Sequence, residues 1–177
     1  CMFPAACSSS TRSMGEKEVF QKLKTSLDDS WRVFHSYDAL GRNREGRIID
    51  AEIDFLLFHP THGILVLEVK SGVIRRDEKG EWFQNDRSIP SPAKQAKLNK
   101  YNIKNYLSDS LKLSQRIPVV FGHAVCFPDC FSNMEDLPAD TRDIAISGAQ
   151  LPYLEEEIIR ILTSFGKGLD CNHDPGM

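Results

Sequence analysis

Several absences narrow the field before any motif is read. No stretch approaches the ~20 apolar residues that a membrane-spanning helix needs. Residues 2–7 run into Cys7 without the charged start and the apolar region, about 7–15 residues long, of a secretion signal. No C-x-x-C pair occurs among the five cysteines, and their count is odd, so neither a zinc ribbon nor a paired disulfide framework is indicated. A reducing cytoplasm is the expected compartment. The five histidines show no metal-ligand spacing. There is no glycine-rich phosphate loop, so ATP chemistry would belong to another domain. Internal repeats and low-complexity tracts are missing too.

The chain also lacks an excess of positive charge: 22 Lys and Arg face 25 Asp and Glu, a formal net charge of −3. It is no polycation, and any nucleic-acid contact must come from a local basic patch. What remains is ordinary for a globular domain, with 41% hydrophobic and 27% charged residues over 177 positions. Such a length suits one domain.

Residues 1–12 read as a flexible leader, 13–165 as the domain and 166–177 as a tail or the start of a linker. Ser13 caps an expected helix over 14–28, with Glu16 placed as its capping-box partner. Strands are predicted at 31–37, 48–58, 64–70, 73–76 and 82–83, with a charged loop at 41–47 and a turn at 59–63. Pro90-Ser91-Pro92 introduces a helix to about residue 113, with Ala93, Ala96, Tyr101 or Ile103, and Leu107 inward. A buried strand over 119–127, a loop over 128–143, a short strand at 144–146 and a helix over 151–164 complete the chain. The order predicts an α/β fold: a three-layer sandwich, its mixed central β-sheet flanked by helices.

The chemistry-bearing stretch is the predicted hairpin. Alternation puts Asp50, Glu52 and Asp54 on one face of the first strand, with Ile53, Phe55 and Leu57 on the other. On the second strand Glu68 and Lys70 share a face. A pairing of Asp54 near Glu68 would gather two carboxylates and an ammonium. Magnesium and manganese are bound through oxygen by one or two carboxylates plus waters and phosphate. Asp54 and Glu68, with the carbonyl of Val69, form such a donor set, and Lys70 supplies a cation for a charged phosphate. A solvated strand face would give the same spacing. The apolar setting of Glu68, in Ile64-Leu-Val-Leu-Glu-Val-Lys70, argues for the first reading, because an unpaired carboxylate there is costly.

These residues resemble a known family. Gly15-Glu16 opening a helix, Glu52-Ile53-Asp54-Phe55, and Gly63-Ile64 leading to Leu67-Glu68-Val69-Lys70-Ser71-Gly72 are similar to the nuclease-related domain (NERD) family of the PD-(D/E)XK, restriction-endonuclease-like superfamily. Trp82, Gln95 and Val125-Cys126-Phe127-Pro128 follow in the same order, and the likeness covers about residues 13–165. Ile53 stands where the superfamily name has proline, as is usual in this family.

The resemblance implies a magnesium- or manganese-dependent DNA endonuclease in DNA processing or repair, with Asp54, Glu68 and Lys70 at its centre. It brings Glu16 and Gln95 to the site as well, although Glu16 also suits a helix cap and Gln95 a structural bridge. Such domains are often fused to a helicase or kinase, so the chain reads as the N-terminal piece of a helicase. The alternative is a non-catalytic nucleic-acid-binding or docking module of a helicase. Arg42, Arg44 and Arg47 in the charged loop, and Lys94 and Lys97 on the long helix, are the candidates for DNA contact. A solvated helix face accounts for the lysines equally well.

Overall fold

The computed structural model describes residues 1–7, 13–42, 48–112, 119–130, 135 and 137–170, the side chains of 38–42, 48–51 and 168–170 excepted. Helix α1 (Met14–Ser26) begins where the Ser13 hydroxyl accepts the Glu16 N–H, and it buries Val19, Phe20 and Leu23. Strands β2 (Arg32–Arg42), β3 (Ile48–His59) and β4 (Gly63–Val69) form an antiparallel run. Gly63 makes the β3–β4 turn possible: its φ is 112°, and a Cβ there would lie 2.4 Å from the Val120 carbonyl oxygen. Only glycine adopts that conformation at little cost.

Strand β4 pairs in parallel with β8 (Phe121–Phe127), and β8 with β9 (Ala145–Ser147). Helix α2 (Pro92–Ser110) lies in the chain between β4 and β8. It starts at Ser91 with Pro92 in its first turn, as the sequence predicts. With β1 (Met2–Phe3) at one edge, the resulting six-stranded mixed sheet has the order β1-β2-β3-β4-β8-β9. Helix α1 and the last helix, α4 (Leu154–Asp170), cover one face of it. There Leu154, Ile158, Ile161 and Leu162 join the α1 residues against Phe55, Leu57, Leu65 and Leu67. Helix α2 covers the other face, with Ala93 and Ala96 against Val125 and Phe127, and Ile103 against Ile53 and Val66. This is the three-layer, restriction-endonuclease-like architecture. Among the described residues no helix is long and apolar enough to cross a membrane.

Several elements differ from the sequence reading. Met2–Phe3 forms β1, parallel to β2, inside the stretch read as a leader. Strand β2 runs on to Arg42 rather than ending at 37. The strands near 74 and 82 are not part of the main sheet. Strands β5 (Ile74–Arg76), β6 (Trp82–Gln84) and β7 (Arg87–Ile89) make a small antiparallel sheet of their own. It is pinned by Trp82, which stacks on Phe127 at 6.3 Å. Within the loop expected over 128–143, Ala139–Arg142 forms a short helix, α3. Tyr101 is exposed while Ile103 is buried, which resolves the inward position of α2. The last helix is preceded by a 3-10 turn, Gly148–Tyr153.

Candidate active site

The register of the β3–β4 hairpin decides what the site contains. The ladder's last pair is Phe55 with Leu67, so the next residues, Asp54 and Glu68, stand across from each other. Here the strands stop exchanging backbone bonds. The Asp54 carboxylate replaces the missing partner and accepts the Val69 N–H at 2.7 Å through Oδ2. On the other side β2 is also irregular. Ser36, the residue across from Asp54, has φ 49° and is skipped in the ladder between His35–Phe55 and Tyr37–Ile53. Such strain is found at functional sites, where surrounding contacts hold it.

That irregularity overturns one sequence expectation. Ile53 does not share a face with Phe55 and Leu57. It is 0% exposed and packs with Val66 and Ile103 under α2, while Phe55 and Leu57 lie in the core under α1 and α4. The alternation breaks at Asp54, opposite the left-handed Ser36 where the β2–β3 ladder is interrupted, and with it the face assignment for residues before Asp54. Glu52 is exposed, and its carbonyl accepts a long bond of 3.4 Å from Asn99 Nδ2 of α2.

Glu68 is only 1% exposed. Its Oε1 accepts from Lys70 Nζ at 2.7 Å and from Gln95 Nε2 at 2.6 Å. Its Oε2 is buried with no partner among the described residues. Burial raises the pKa of Glu68 against the opposing pull of Lys70, with the charges of Glu16 and Glu52 adding to the rise. Asp54 is pushed up to about 8, first by burial and then by the charge of Glu68, while the Val69 N–H and Lys70 pull it down. Two carboxylates this close do not both ionise easily, and a cation relieves them. Among the described residues no group of three His, Cys, Asp or Glu could hold a metal ion. Two carboxylates suffice for magnesium, which keeps several waters. The partnerless Oε2 and the mutual repulsion fit such an ion.

Glu16 does not act as the expected capping-box partner. Its carboxylate lies 2.6 Å from His35 Nε2, and its charge raises the pKa of both Asp54 and Glu68. Gly15 permits this approach: a Cβ there would meet the Ser71 Cβ at 2.5 Å and the Pro128 Cγ at 2.6 Å. His35 is the residue that the sequence reading missed. It is 4% exposed and stacks on Phe55 at 4.9 Å. The available signal was its place two residues beyond Val33 and four beyond Trp31 on an inward, otherwise apolar face.

The remaining candidates divide. Gln95 reaches the site, whereas Lys94 and Lys97 line a separate cavity with His123. At ~100° per residue, Gln95 and Lys97 point ~160° apart around α2. Arg42 ends β2, and its side chain lies outside the described set, as do Arg44 and Arg47 entirely. His59 and His62 are half-buried and pack against Trp31 with ring centroids at 4.7 and 6.1 Å. Cys126 is fully buried, and burial pushes its thiol far above the ordinary range, so it is inert.

A profile of the nuclease-related domain (NERD) family matches residues 11–128, which span every strand and helix residue of this cluster. Neither a curated protein nor a solved structure matches the chain.

Proposed function

The chain belongs to the nuclease-related domain family, and on that premise we propose that it is a magnesium- or manganese-dependent DNA endonuclease acting in DNA processing or repair. The observation that carries this reading is Glu68: a buried carboxylate fixed at one oxygen by Lys70 and Gln95 and, among the described residues, without a partner at the other. A protein core does not keep such an atom bare without cost. A ligand with positive charge accounts for it.

Asp54 and Glu68 would hold the ion. The Val69 carbonyl would lie near it, because in an extended strand a residue's C=O points the same way as its N–H, which here meets Asp54. When bound, the ion polarises a phosphate oxygen and lowers the pKa of an attached water. Lys70 keeps Glu68 in place and sets an ammonium where the phosphate gathers negative charge. Gln95 fixes the rotamer of Glu68 from the side of α2. Glu16, steadied by His35, is the proposed acceptor that orients the attacking water. Arg42, Arg44 and Arg47 are the proposed DNA-backbone contacts, Arg42 closing the end of β2 beside the strand of Asp54.

Purified protein is expected to cut DNA only with magnesium or manganese. Asp54→Ala, Glu68→Ala and Lys70→Ala should each abolish cutting. Cleavage that survives all three would sink the assignment. Metal binding by calorimetry, without cleavage of single-stranded, double-stranded or branched DNA, would favour a docking module instead. The same proposal places a helicase domain in the full-length chain; a stop codon directly after Met177 in the native gene would exclude it.

A further inference from the structure

Strand β9 covers only part of β8. It pairs with Val125, Cys126 and Phe127, so the Phe121–Ala124 half of β8 has no β9 partner on its outer edge. Between α2 and α4, beside that edge, lies a cavity of about 450 Å³. It is on the flank of α2 turned away from Gln95, and Asp54, Glu68 and Lys70 take no part in its walls.

Its charges are arranged unusually. Lys94 and Lys97 line it and form no ion pair among the described residues. Lys100, one helical turn beyond Ala96, is 8% exposed and has no carboxylate partner among the described residues either. Its ammonium instead sits 4.8 Å from the ring centroids of Tyr101 and Phe165. Burial and the charges of Lys97 and Lys104 hold its pKa below the usual lysine range. His123, also 8% exposed, lines the cavity from β8, its Nδ1 without a partner among the described residues and its ring 5.0 Å from that of Phe165. Two lysines and a buried imidazole thus line the cavity and a third ammonium stands over its Phe165 wall, with no ion pair to any of them among the described residues. Like charges gathered in this way repel, and a bound anion would offset the repulsion.

The shape says more about the anion. The cavity is larger than a phosphate requires and within the range of small-molecule sites. Ile144, Ile161 and Phe165 give it an apolar wall. Asp140, whose Oδ1 accepts from the Thr141 hydroxyl at 3.2 Å, and Asp143 also line it, and neither forms an ion pair with the lysines among the described residues, so carboxylate oxygens remain to accept from hydroxyl or amino donors. A ligand that matches carries a phosphate at one end, a flat apolar body, and donor groups at its edge.

We propose that the cavity between α2 and α4 binds a nucleoside phosphate, with Lys94 and Lys97 on the phosphate and Asp140 and Asp143 on its hydroxyl or amino groups. This site stands apart from the carboxylate cluster and does not depend on nuclease activity. A free nucleotide and the phosphorylated end of a strand offer the same chemistry.

The test is calorimetry of the whole chain in EDTA, with each deoxynucleoside monophosphate and its nucleoside as probes. At least one nucleotide is expected to bind about tenfold or more tightly than its nucleoside, and Lys94→Gln with Lys97→Gln to remove that advantage while leaving the melting temperature in place. Asp54→Asn should bind the nucleotide as the unaltered chain does. The proposal fails if no nucleotide outbinds its nucleoside, if the double variant binds unchanged, or if Asp54→Asn loses binding. A 5′-phosphorylated oligonucleotide that displaces the nucleotide, where its unphosphorylated twin does not, assigns the site to strand ends. No displacement by either assigns it to the free nucleotide.

Discussion

Gln95 donates from Nε2 to Oε1 of Glu68 at 2.6 Å, the same oxygen that Lys70 holds at 2.7 Å. A helix on one face of the sheet thereby fixes a side chain that β4 alone would leave free to rotate. A hydrogen bond to a charged group contributes about 1.5–3 kcal/mol. Gln95→Ala should therefore slow cleavage by roughly 10–100-fold and raise the magnesium concentration needed for half-maximal rate. Initial rates across a magnesium titration check both. A lower rate with unchanged metal dependence would leave Gln95 only a packing role.

Lys70 has a different task, because its charge opposes the burial that pushes the pKa of Glu68 up. Lys70→Met removes that charge and leaves Gln95 as the only partner of the Glu68 side chain among the described residues. Glu68 should then hold a proton more readily, and metal binding should weaken. The cleavage rate is expected to fall ~10²–10³-fold, the usual loss when one group facing transition-state charge is removed. The fold should survive, since the Lys70 side chain makes no other described bond. Single-turnover rates and a melting curve on one preparation separate the two effects.

The parts of this arrangement that were legible share a property: each follows from local rules. Asp54, Glu68 and Lys70 show as alternate positions on strands joined by a short turn, and the glycine at 63 ties the turn to a tight geometry. Ser91-Pro92 marks the start of the helix that carries Gln95. What was hidden depends on tertiary context. Nothing local announces that Ser36 takes a left-handed conformation, so the reversal of Ile53 to the α2 face was invisible. His35 and Glu16 meet across 19 residues through packing of α1 on β2, which no spacing rule encodes. The strands at 74 and 82 have the right pattern, but pattern alone does not say which sheet they join, and the three-residue strand at 87 is not among those predicted. Strand β1 is two residues long, too short for any periodicity to register.

Two glycines should respond differently to alanine. At Gly15 the new Cβ would meet the Ser71 Cβ and the Pro128 Cγ at 2.5 and 2.6 Å. Neither atom is the end of a flexible chain, so α1 must move, and with it Glu16. Overpacking of this kind costs about 1–3 kcal/mol. At Gly122 the nearest atoms are the Leu65 Cδ1 and Leu162 Cδ2 ends, at 2.9 and 3.0 Å, which can rotate away. Gly15→Ala should lower the melting temperature more than Gly122→Ala, and should also reduce cleavage. Equal losses would show that the start of α1 adapts freely.

His123 predicts a pH dependence of stability. Burial first, and then the charges of Lys100 and Lys97, push its pKa from 6.5 down to about 4. The unfolded chain takes up a proton near 6.5, and the folded chain refuses it until about 4. The contribution is therefore fully present above 6.5 and is lost as the pH falls toward 4. Urea unfolding between these limits should show stability falling with acid more steeply in the unaltered protein than in His123→Gln, which has no proton to gain. Lys100→Met should raise the folded-state pKa of His123 and flatten the same slope in part. If the unaltered chain and His123→Gln trace parallel curves, the imidazole is not held neutral by its surroundings.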